Sequence, residues 1–104
     1  MANLHRGEID ATLGGRRVTL CLTLGALAEL EAKFAAEDLS ALGERLSEGR
    51  VSARHLIAIL GAGLRGAGHA MTDEEVAAAP MDDGLKGAAE IAARLLRATF
   101  GAAE

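Results

Sequence analysis

The sequence predicts an α+β fold, mostly α, in which an N-terminal two-stranded antiparallel hairpin precedes four to five helices. Three observations carry this. Apolar and polar residues alternate on both sides of Gly14-Gly15. Beyond Thr23 the apolar spacing switches from two to three or four with no loop between. Three of the later apolar runs open on a capping residue, at Asp38, Ser52 and Thr72.

The strands are expected at about 7–13 and 16–22. Ile9, Ala11 and Leu13 share one side of the first, and Val18, Leu20 and Leu22 one side of the second. Gly14-Gly15 suits a two-residue type I′ turn, which needs positive φ at both positions. Pairing across it sets Ala11 opposite Val18, Ile9 opposite Leu20 and Cys21 opposite Glu8, with Asp10 and Arg17 as diagonal neighbours on the other face.

Helices are expected at about 24–36, 38–48, 52–66, 72–79 and 83–100. Thr23 caps the first, and Leu22 and Leu27 have the spacing of a hydrophobic staple. Leu39, Leu42 and Leu46 form the stripe of the second, which Gly49 stops. Ser52 caps the third, with Val51 and Leu56 as its staple and Leu56, Ile57, Leu60 and Leu64 inward. Gly61, Gly63, Gly66 and Gly68 weaken its later turns by up to about 1 kcal/mol each relative to Ala. Thr72 and Glu75 form a capping box for a short helix that Pro80 ends. The last helix turns Leu85, Ala88, Ile91 or Ala92, Leu95 and Thr99 inward, supported by a Glu90–Arg94 pair. No linker divides residues 1–104, so one domain is expected.

Half of the 104 residues are apolar, many of them alanine, and Phe34 and Phe100 are the only aromatic residues. The core therefore draws on Leu, Ile, Val and Ala at close contacts. A net charge of −4 and the absence of Trp and Tyr argue against a nucleic-acid groove. The lone Cys21 fits a reducing compartment. The polar start after Met1 reads as no signal peptide, and no apolar run reaches the roughly 20 residues of a membrane span. The expectation is a soluble cytoplasmic protein with no membrane and no nucleic acid among its partners.

Each group that could carry chemistry has a simpler account. Gly61-Ala-Gly63-Leu-Arg-Gly66 matches a dinucleotide fingerprint, with Asp82 about 20 residues on. Ser52 nevertheless caps that segment as a helix, so its glycines read as close-packing positions and a flexible helix end. His5, His55 and His69 are scattered without helical metal spacing, and His55 and His69 read as surface residues. Cys21 would face Glu8, a carboxylate that disfavours a thiolate. Asp73-Glu74-Glu75 sit where a helix N-terminus favours acids. Arg45, Arg50 and Arg54 around Gly49 outline a helix-turn-helix, but Glu44, Glu48 and the acidic total oppose it. No enzyme, cofactor or metal site is expected.

The ordered combination of His5-Arg6-Gly7-Glu8, the hairpin, Leu22-Thr23-Leu24-Gly25-Ala26-Leu27-Ala28-Glu29-Leu30-Glu31 and Gly61-Ala-Gly63-Leu-Arg-Gly66-Ala-Gly68 resembles the small tail proteins of gene transfer agents. These are phage-like particles encoded by alphaproteobacteria. The resemblance covers about residues 5–79, and residues 81–104 match only as a generic amphipathic helix. The family is grouped with phage tail assembly chaperones and is also described as a tail tube protein. The resemblance implies a non-enzymatic role in tail morphogenesis, with the tape-measure protein and other tail proteins as partners. A chaperone is the first expectation, a structural tube or tail-end component the second, and a small DNA-binding regulator the third. The expected interaction surface is Leu27, Leu30 and Phe34 with Leu95 and Phe100, and the hairpin edge could pair with another copy.

Overall fold

The computed structural model describes residues 7–34, 45, 52–81 and 83–100. Strands β1 (Glu8–Leu13) and β2 (Arg16–Cys21) lead into helix α1 (Leu24–Phe34). Helices α2 (Ala53–Gly66), α3 (Asp73–Ala78) and α4 (Gly84–Phe100) follow. The helix expected at 38–48, with its Asp38 cap, and the Val51 half of the next staple lie outside the described residues.

The hairpin has the expected register. Ala11 pairs with Val18, Ile9 with Leu20 and Glu8 with Cys21. Gly14 and Gly15 have φ of 59° and 80°, the positive pair that the type I′ turn requires. Thr23 then caps α1: its Oγ1 accepts from the Ala26 amide at 3.1 Å. Leu22 is buried and Leu27 packs half-buried against the same core, as the staple spacing implies. Ser52 caps α2 by accepting from the His55 amide at 3.2 Å. Thr72 and Glu75 form both halves of the capping box on α3.

Helix α2 is the hub, packing against β2, α1, α3 and α4. It is buried without a break from Ala58 to Leu64. Only a helix with small residues on several sides can be surrounded in this way at close range. The glycines supply those sides. A Cβ at Gly63 would lie 2.6 Å from Leu95 of α4 and 3.3 Å from Leu20 of β2. One at Gly66 would overlap the Cys21 carbonyl oxygen, and one at Gly61 the Asp73 carboxylate. The close-packing reading of these residues holds. Gly68, at φ 100°, closes α2 with a left-handed cap. The His69 amide donates to Leu64 O (2.9 Å) and that of Gly68 to Arg65 O (3.0 Å), the two bonds of a Schellman motif.

Three local expectations change. Leu85, assigned to the buried stripe of α4, is 58% exposed, because it lines an open groove beside Ile57, Val76 and Met81 that nothing among the described residues fills. Burial begins at Gly87 and spreads around the helix to include Ala89, Ala93 and Leu96. His55 is half-buried, its ring edge-on to Phe34 with centroids 4.8 Å apart. Arg94, expected to support Glu90, instead donates across the fold to the Asp10 carbonyl at 2.8 Å.

Gly66→Ala should lower unfolding stability by about 1–3 kcal/mol, because α2 must retreat from β2 to admit the methyl group. Gly25→Ala, with only Thr23 Oγ1 at 3.8 Å from the new atom, should be neutral or stabilising by up to about 1 kcal/mol. Urea denaturation of the two variants beside the wild type measures both.

Candidate functional site

Of the five residues expected to form an interaction surface, Leu30 and Leu95 are completely buried and Phe34 is 9% exposed. Leu27 is half-buried against the core. Phe100 is 45% exposed, at the far end of α4. The fold brings Leu30 and Leu95 into one core and leaves only Phe100 of the five open to solvent. The exposed large apolar side chains among the described residues are Phe100, Leu24 and Leu85. Leu24 could not be singled out by periodicity, since it stands in the first helical position after the Thr23 cap.

A charged cluster joins α1, α2 and α3. Arg65 bonds Asp73 at 3.0 Å, pairs with Glu29 and also donates to the Met71 carbonyl at 2.9 Å. Lys33 pairs with Asp73 and lies 3.3 Å from Glu29, one turn back on α1. Gly61 leaves the space in which the Asp73 carboxylate sits. Burial alone would raise the Asp73 pKa, but hydrogen bonds from Lys33 and Arg65 outweigh it and hold the carboxyl below its usual value. The hydrogen bond to Asp73 raises the Lys33 pKa against the opposing effect of burial. These side chains are between 30% and 37% exposed, so solvent screens the cluster and its stabilising effect is modest. It braces three helices. Among the described residues, no three His, Cys, Asp or Glu side chains gather in a metal-binding arrangement.

The fingerprint-like glycines lie inside α2 with their faces filled by Asp73, Leu95, Leu20 and Cys21. A phosphate-cradling loop would need those glycines free, between a strand and a helix. Their spacing serves packing.

The hairpin edges differ from one another. A two-residue turn makes Leu13–Arg16, Ala11–Val18 and Ile9–Leu20 the hydrogen-bonded pairs. The main-chain groups of Glu8, Asp10 and Thr12 therefore face outward from β1, and those of Arg17, Thr19 and Cys21 from β2. On β1, Arg94 takes the outward Asp10 carbonyl. On β2, the Cys21 carbonyl lies against Gly66. Between these two closures the outward groups of Arg17 and Thr19 bond nothing among the described residues.

A cleft of about 620 Å³ runs beside that stretch, bounded by Arg17, Thr19 and Asp10 on one side and Ala67 and His69 on the other. A second space, of about 540 Å³, shares Arg17, Val18 and His69 with it and is lined also by Leu13, Leu64, Met71 and Met81. A third groove, of about 330 Å³, lies between Ile57, Val76, Met81, Leu85 and Ala88. No described helix is long and apolar enough to cross a membrane.

A family model described as phage tail tube protein, GTA-gp10, matches residues 6–102. The chain belongs to this family. Comparison with curated proteins and with solved structures returns no match. The family match reaches through α4, further than the resemblance over residues 5–79 implied. Membership in a GTA tail family makes the exposed apolar side chains and the bare stretch of β2 the features of interest, since a tail protein works against other tail proteins.

In this GTA family member, Arg65→Met should lower stability by about 1–2 kcal/mol, since it removes charged hydrogen bonds that solvent already screens. The depressed Asp73 pKa contributes stability above the unfolded carboxyl value of about 3.9, lost as pH falls through the lower folded value. Asp73→Asn should therefore flatten stability against pH below about pH 4. Denaturant midpoints measured from neutral to acid pH check both.

Proposed function

We propose that this chain is a non-enzymatic tail assembly chaperone. It holds the tape-measure protein in the cytoplasm until tube subunits assemble around it, and is left out of the finished particle. One observation supports this over a wall-forming role. The described residues contain a single two-stranded sheet, whose apolar face covers α2 and α4 and whose β1 edge is tied to Arg94. A wall built by strand pairing around a ring needs two free edges on every subunit. On β1 the Arg94 bond at Asp10 interrupts the outward row, whereas β2 offers two successive outward positions, Arg17 and Thr19, without such a bond, which suits binding a partner and does not suit closing a ring.

The second reading is a structural component of the tail tube, favoured by the description of the family whose model matches. In it the chain joins the particle and its helices contribute the contacts between subunits.

Co-expression with the tape-measure and tube proteins of the same element, followed by purification of complexes and of mature particles, separates the two. The chaperone reading expects co-purification with the tape-measure protein and absence from particles. Stoichiometric presence in purified particles would overturn it and leave the structural reading standing.

A further inference from the structure

We propose that the Arg17–Thr19 edge of β2 is a docking site for an extended segment of a partner protein in which acidic and apolar residues alternate. The inference deepens the proposed function by naming the surface and the chemistry of the segment held there.

Three independent features converge on this edge. The first is main-chain. Outward N–H and C=O groups of Arg17 and Thr19 are unpaired among the described residues, whereas on β1 the outward Asp10 carbonyl is already bonded to Arg94. An added strand would satisfy these groups directly, which is how extended peptides gain affinity at sheet edges. The second is space. The cleft beside the edge adjoins, at Arg17, Val18 and His69, a space with an apolar floor of Val18, Leu64 and Met71. Every second side chain of an added strand points to the same face, so apolar residues can enter that floor, where methionine adapts to varied shapes.

The third feature is charge. Arg16 and Arg17 are exposed on a chain whose net charge is −4. The Arg16 side chain makes no ion pair or hydrogen bond among the described residues, and the Arg17–Asp10 pair is loose, at 3.7 Å. Acidic residues on the incoming strand would meet the Arg17 guanidinium, which lies on the face opposite Val18, while the Arg16 charge adds a longer-range attraction at the rim. The same charges disfavour a second copy as occupant. Antiparallel pairing of two β2 edges would bring four arginines together, and like charges facing each other across strands are destabilising.

The test titrates the ¹⁵N-labelled full chain with a short synthetic peptide of alternating valine and glutamate, beside a control in which lysine replaces glutamate. The Arg17 and Thr19 amides should shift and gain protection from hydrogen exchange with the acidic peptide alone. The double variant R16E/R17E should weaken that binding about tenfold or more, two rim charges being lost and reversed. Arg17→Pro removes an outward N–H and leaves every main-chain bond within the hairpin intact, so it should abolish protection at Thr19 while far-UV circular dichroism is unchanged.

Equal binding of the lysine peptide, or protection along β1 instead, would overturn the proposal. So would a free chain that sediments as a dimer with Arg17 and Thr19 already protected. If the tape-measure protein does not co-purify yet the acidic peptide still protects this edge, the chaperone reading fails and the docking site stands. If it co-purifies equally well with R16E/R17E, the docking site fails and the chaperone reading stands.

Discussion

Close approach of one helix to everything around it is the constraint on which this structure depends. A helix enclosed by β2, α1, α3 and α4 cannot carry large side chains on every face, because interiors are already packed to crystal-like density. Helix α2 meets the demand by placing Leu56, Ile59, Leu60 and Leu64 where there is depth and glycine where a neighbour arrives at backbone range. The helix-propensity cost of those glycines, about 1 kcal/mol each against Ala, is offset by the apolar area that their absence of side chains allows the neighbours to bury.

The charged cluster follows from the same constraint. Asp73 can reach both Arg65 and Lys33 because Gly61 presents no Cβ in its path. The capping box at Thr72 holds the start of α3 in place, so Asp73 arrives on a short helix already oriented toward α2. Arg65 then reaches the Met71 carbonyl as well, tying the loop between α2 and α3 to the helix that precedes it. A packing motif, a cap and an ion cluster are thus three views of one junction.

Local rules made much of the fold legible. The Gly14-Gly15 turn and the apolar alternation determine each other, so register could be read without tertiary information. Thr23, Ser52 and Thr72 cap their helices because capping is a matter of three or four residues. What could not be read depends on distance. Arg65 and Glu29 are 36 positions apart, and no periodicity announces that they meet. Leu30 and Leu95 were legible as apolar faces, but a 3.6-residue period identifies a face without saying whether its partner belongs to the same chain or another. Here the same chain covers them. Leu85 continues the stripe of α4 in sequence yet stays largely exposed on the groove it shares with Ile57 and Val76, a boundary that only packing sets. The bare stretch of β2 was visible as an unpaired strand, but which edge and which residues remained open depended on Arg94 and Gly66.

The bond from Arg94 to the Asp10 carbonyl spans 84 positions and joins the last helix to the first strand. Synthesis proceeds from the N-terminus, so the hairpin emerges long before the helix that holds it. Until Leu95 and its neighbours leave the ribosome, the apolar side of Ile9, Ala11 and Leu20 lacks part of its cover, and a lone hairpin is marginal in water. The core is therefore complete only once synthesis has passed Leu96. A truncation in α4 would be felt first at the opposite end of the sequence.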